Sequence, residues 1–136
     1  MKILIVCTGN TCRSQMAEGF LKSFDPRLEI YSAGTKPESK VNPYAIKVKG
    51  EEGVDISNQM PETVEKYLDK RFDYVITVCD GAKEICPVFT GHVKNRLHIG
   101  FEDPANAKGT LDEMLLVYRK VRDQIKEQFL RFYLTT

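Results

Sequence analysis

The apolar run Ile3-Leu4-Ile5-Val6 leads without a polar interruption into Cys7, and within ten residues continuous hydrophobicity gives way to a helical stripe. Aliphatic residues with no alternation suit a strand covered on both faces, as in a parallel sheet. Met16, Ala17, Phe20, Leu21 and Phe24 then recur at helical spacing, and Asp25-Pro26 stops that helix. A buried strand running into a helix through a short loop is half of a strand-helix-strand unit, and it commits the chain to a layered α/β architecture.

The rest of the chain repeats the alternation. Residues 28–34 predict a second strand ending at a glycine turn, and residues 43–53 a helix with Pro43 in its first turn and Gly53 at its stop. A shorter helix fits 61–68, "FDYVITVC" (72–79) is the clearest later strand, and 96–100 is a weaker one. From Leu111 onward Met114, Tyr118, Val121, Ile125, Phe129 and Phe132 share one stripe, which predicts a long amphipathic helix closing the core. With no repeat, linker or low-complexity segment, we expect one α/β domain over residues 1–136, doubly wound, with ligands at the carboxyl ends of the strands. Both Cys7 and Cys79 fall at that edge.

The chain carries a formal net charge of +1 with 29 % charged and 42 % hydrophobic residues, so no bulk field draws it to nucleic acid or to an anionic membrane. Any attraction for an anion must be local. No apolar stretch reaches the length of a membrane span or a signal-peptide core, which predicts a cytoplasmic protein. In a reducing compartment its four cysteines serve catalysis or metal binding rather than structural disulfides.

"CTGNTCRS" (7–14) supplies the local attraction. A turn of backbone amides from Thr8 through Ser14 that runs into a helix start forms a nest for a tetrahedral oxyanion, and Gly9 and Asn10 tolerate the positive φ such a turn often needs. Arg13 adds a planar fork matching two oxygens of the same anion. Those amides and that guanidinium would also hold Cys7 as a thiolate well below its ordinary pKa. Thr8, Thr11 and Cys12 complete the loop, and Ser14 offers a hydroxyl to the sulfur or to the first helical turn. The plainer reading is a buried cysteine before an ordinary turn, which requires Cys, Gly, Asn, Arg and Ser to coincide without purpose.

These residues, together with Asp103-Pro104, resemble the low-molecular-weight protein tyrosine phosphatase superfamily. Within it, "CTGNTCRSQMAEGF", "YSAG", "VNPYAI", "DISN", "ITVCDGAKEICP" and "FEDPA", spread over residues 7–105, are similar to the thioredoxin-coupled arsenate reductases. The resemblance implies a single three-layer domain with a four-stranded parallel sheet flanked by helices, a monomer, and no metal or organic cofactor. It further implies that Cys7 attacks arsenate, that Cys79 then attacks Cys7 and releases arsenite, and that Cys86 attacks Cys79 to leave a disulfide for thioredoxin. Arg13 binds the oxyanion, whether arsenate, phosphate or sulfate, and Asp103 is assigned as general acid. Glu18 and Ser32 match positions that brace the loop in some members.

Other readings stand beside this one. A phosphatase needs only Cys7, the cradle and a proton donor, so the extra cysteines are what argue for reduction. Phosphatases of the superfamily usually carry proline where this chain has Gln15 and an aromatic residue where it has Ala105, and an aryl phosphate needs aromatic walls. Cys79 and Cys86 could instead be inert buried thiols, or the chain a redox-sensing module without turnover. A zinc site from Cys7, Cys12, Cys79 and Cys86 would have unusually long spacings with a cation beside the metal. Alone, Asp103 reads as a solvated turn carboxylate.

Overall fold

The computed structural model describes residues 1–81, 84 and 87–136. Four parallel strands, β1 (Lys2–Cys7), β2 (Glu29–Gly34), β3 (Arg71–Thr77) and β4 (His92–His98), form one sheet in the order β2-β1-β3-β4. Three helices accompany them, α1 (Arg13–Phe24), α2 (Pro43–Gly50) and α3 (Leu111–Leu134). The central place of β1 follows from its unbroken apolar run: Ile3, Leu4, Ile5 and Val6 are all fully buried and alternate between two cores. Ile3, Ile5 and Cys7 meet Met16 and Phe20 of α1, Val48 of α2, and Tyr118, Val121, Ile125 and Phe129 of α3. Leu4 and Val6 meet a smaller, aromatic core built on Tyr67, Phe72 and Phe89.

That second face is covered by a 3₁₀ turn, Val64–Tyr67, where the sequence predicts a short helix. Thr63 caps the turn by accepting from the Glu65 amide at 3.3 Å. The fourth strand starts four residues earlier than its apolar pattern suggests, because Lys94, Asn95 and Arg96 interrupt the hydrophobicity that would mark it. As an edge strand β4 has reason to carry charge, which discourages pairing with another chain. Helix ends follow their capping residues. Asn42 accepts from the Tyr44 and Ala45 amides at the start of α2 and donates to the Tyr118 hydroxyl at 2.9 Å, so one side chain caps α2 and ties it to α3. Thr110 and Glu113 form a reciprocal capping box on α3. At its far end the Tyr133 hydroxyl donates to Asp25, the residue that ends α1.

One buried charge-bearing group breaks the apolar pattern. Lys49 of α2 is fully buried, its Nζ lies over the Phe20 ring, and it has no hydrogen-bond partner among the described residues. Burial pushes its pKa down to about 6, with Glu52 opposing the shift and Lys126 and Arg122 adding to it. In the unfolded chain the amine titrates near its ordinary value of about 10.4. Between these two values the unfolded state binds the extra proton, so this group makes stability rise with pH from about 6 to about 10. Lys49→Met should therefore stabilise the fold near pH 7 by roughly 2–4 kcal/mol. The wild-type deficit should shrink as pH is raised to 9 in urea titrations of both proteins, and a gap constant with pH would show that the amine stays charged in the fold.

Candidate active site

The parallel register sets the site. Cys7 ends β1 opposite Gly34 of β2, and Val6 lies opposite Thr77 of β3, so the loops that follow β1 and β3 leave the same edge. After Cys7 the chain turns through 8–12 and enters α1 at Arg13. The loop carbonyls are held from outside: Thr35 donates to Cys7 O, Lys36 to Thr8 O, Glu38 to Gly9 O and Asn42 to Thr11 O. Holding the carbonyls outward leaves the opposite, amide side of these peptides to the cleft. The start of α1 has no side-chain cap and no acidic residue in its first turn, so the helix's own first turn leaves its amides open to an anion. Gly34 is required by close approach, since a Cβ there would meet Thr8 O at 2.2 Å.

Asn10, not Gly9, takes the left-handed turn, with φ of 55°. It is fully buried, and its polar groups are satisfied: the amide N donates to Cys7 Sγ at 3.0 Å, Nδ2 donates to Ser14 Oγ at 2.8 Å and Ser32 Oγ at 2.9 Å, and Oδ1 accepts from Glu62 N at 2.9 Å. Ser32 in turn donates to Glu18 at 2.5 Å, and Lys22 holds the other oxygen of that carboxylate. Ser14 sits 2.9 Å from Cys7 Sγ, so its hydroxyl serves the sulfur rather than the helix cap.

Cys7 and Cys12 are free thiols, both buried. The expectation of a thiolate far below its ordinary pKa is not met in this form. Burial pushes Cys7 up, the Ser14 hydrogen bond, the Asn10 amide and Arg13 pull it down, and Glu84 adds to the rise. The sequence argument counted the cradle and left out the depth of the sulfur and this carboxylate. Cys12, packed in the core, is likewise pushed up, by burial first and then by Asp103. Arg13 donates to Phe101 O at 3.1 Å and lies 3.6 Å from Asp103 Oδ2, which brings the late Asp-Pro turn to the cysteine loop. Asp103 also caps the 3₁₀ turn Pro104–Asn106 through the Ala105 amide.

One cleft of about 330 Å³ is lined by residues 7–13 with Lys36, Glu38, Glu84, Asp103 and Ala105. Lys36, Glu38 and Glu84 went unremarked in the sequence, where they read as polar loop residues. Cys79, two residues past β3, is fully buried, and Cys86 lies outside the described residues.

Residues 2–135 match the family described as low molecular weight phosphotyrosine protein phosphatase. The chain belongs to this family. Over 131 residues it is 44 % identical to an arsenate reductase of Shouchella clausii, covering 96 % of this chain and 93 % of that protein. An arsenate reductase of Bacillus subtilis is 42 % identical over the same coverage. A solved arsenate reductase in its phosphate-binding state superposes with a TM-score of 0.82 at 32 % identity, covering 98 % of this chain and 97 % of that one.

Against the family pattern, Gln15 stands where proline is usual in the phosphatases, and the structure shows what it does instead. Its Nε2 donates to Asn10 O at 2.9 Å and Met60 O at 3.1 Å, while Gln59 donates back to its side chain at 2.7 Å. A side chain thus braces the loop from behind. Because Asn10 supplies both the backbone turn and the buried hydrogen bonds, the two contributions can be separated. Asn10→Gly should lose only the bonds, whereas Asn10→Ala should also carry the left-handed backbone, an extra cost of about 1 kcal/mol. Urea unfolding should place alanine below glycine, with both well below wild type; equal stability of the two variants would contradict a strained turn.

Proposed function

We propose that the chain is a cytoplasmic arsenate reductase in which Cys7, Cys79 and Cys86 carry two electrons from thioredoxin to arsenate. The observation that carries the reading is the junction of β1 and β3. Val78 N donates to Val6 O at 3.2 Å, so the chain segments bearing Cys7 and Cys79 leave adjacent strands side by side. Neighbouring strands lie about 4.8 Å apart, and disulfide-linked Cα atoms must come within about 7 Å.

In the proposed reaction the amides of 8–14 and the Arg13 fork hold arsenate against the sulfur, and the Cys7 thiolate bonds to arsenic. One arsenate oxygen leaves as water with a proton from Asp103. The Cys79 thiolate then attacks the Cys7 sulfur. The sulfur-arsenic pair remains on arsenic, which leaves as arsenite, and the two sulfurs are oxidised to a disulfide. Cys86 displaces Cys7 from that bond, and thioredoxin reduces the Cys79-Cys86 disulfide. The names of the relatives at 42–44 % identity support this reading. So does the cleft, whose lining holds no aromatic side chain among the described residues and puts Ala105 where an aryl phosphate would need a wall. Phosphate monoesters still fit the cradle, so slow hydrolysis of a small ester accompanies reduction.

Cys79→Ser and Cys86→Ser separate the steps. With thioredoxin, thioredoxin reductase and NADPH, Cys79→Ser should lose arsenate reduction and keep p-nitrophenyl phosphate hydrolysis, which uses water where reduction uses the thiol. Cys86→Ser should release one arsenite per chain and stall, losing hydrolysis as well until dithiothreitol restores it. Undiminished arsenate turnover by Cys79→Ser would overturn the relay.

A further inference from the structure

The fork of Arg13 is already occupied. Nη1 pairs with Glu84 Oε1, and Nη2 donates to Glu84 Oε2 at 3.2 Å, a bidentate arrangement that uses the same two donors a guanidinium offers to two oxygens of an oxyanion. Only 7 % of the Arg13 side chain is exposed, so it has little room to serve two anions at once. Nor is the carboxylate there by chance of a loose loop. Glu84 Oε1 also accepts from the Asp80 amide at 2.7 Å, and Glu84 N donates to Asp80 O at 2.9 Å, so Asp80 holds both the side chain and the backbone of Glu84. The same carboxylate lines the cleft beside Cys7 and Asp103.

We infer that Glu84 is an internal competitor for the oxyanion, a gate on Arg13 that the substrate must displace. This rests on the reading of residues 7–14 as an oxyanion site. Two consequences follow from the charges. With Glu84 in place, Arg13 is neutralised and Asp103 leaves the cleft net negative, so only an anion that fills the fork and the amide nest together can outcompete a carboxylate already held by its own backbone. Displacement also takes the Glu84 carboxylate away from the Cys7 thiol, and the oxyanion that replaces it brings its own negative charge to the same fork.

The test is calorimetric titration of the reduced full chain with inorganic phosphate, for wild type, Glu84→Gln and Glu84→Ala. Removing the competitor should tighten phosphate binding by at least tenfold in both variants. In the wild type, hydrogen exchange at the Asp80 amide should accelerate when phosphate is bound, and in Glu84→Ala, which lacks the acceptor, it should be faster than in wild type without phosphate. Affinities equal within twofold overturn the gate, as does an Asp80 amide that exchanges no faster with phosphate bound. Absence of phosphate binding to all three proteins would overturn the oxyanion site itself, and the gate with it.

Discussion

The arrangement at the carboxyl edge depends on one buried residue in an uncommon conformation. Asn10 turns the backbone at φ 55°, and that turn points its own amide at Cys7 Sγ while its side chain joins Ser14, Ser32 and the Glu62 amide. Without that side chain the Glu62 amide would lose this acceptor and Ser14 and Ser32 one hydrogen bond each, at a cost of about 1 kcal/mol per bond. The loop therefore has little freedom to relax, and the helix start, the β2 edge and the 59–62 segment are tied to it through Gln15, Ser32 and Glu62. A rigid cradle of this kind is what differential stabilisation of an anion requires, since donors fixed before the reaction need no reorganisation during it.

Around that rigid loop the charges are exchangeable. Arg13 is shared among Glu84, the Phe101 carbonyl and Asp103, three groups from two separate segments, and Cys7 sits in the resulting balance. The form described here is one in which the carboxylate wins the fork and burial keeps the thiol protonated. Rigidity in residues 7–14 and the sharing of Arg13 among Glu84, Phe101 O and Asp103 are thus complementary, and in the proposed function the rigid loop is what holds the oxyanion.

What could be read from sequence divides along physical lines. The unbroken run at 3–6, the stripes of α1 and α3 and the carboxyl-edge position of Cys7 were legible because burial on both faces or one face leaves a period in the chain. Ser14 and Arg13 were legible as chemistry at a helix start. The early start of β4 was hidden by its charged edge, and the second face by a 3₁₀ turn too short to show a period. Glu84 was hidden for a different reason: its partner lies 71 positions away, and a glutamate in a polar segment carries no local sign that it will meet an arginine. The thiol pKa failed with it, because the depth of Cys7 and the charge facing it are tertiary facts.

The central claim is that arsenic is reduced by sulfurs of this chain. It is tested most directly by mixing fully reduced protein with excess arsenate in the absence of any other thiol, quenching in acid, and counting arsenite and free thiols. The account predicts one arsenite released per chain and a loss of two of the four thiols. Arsenite without thiol loss, or no arsenite until an external thiol is added, would contradict it.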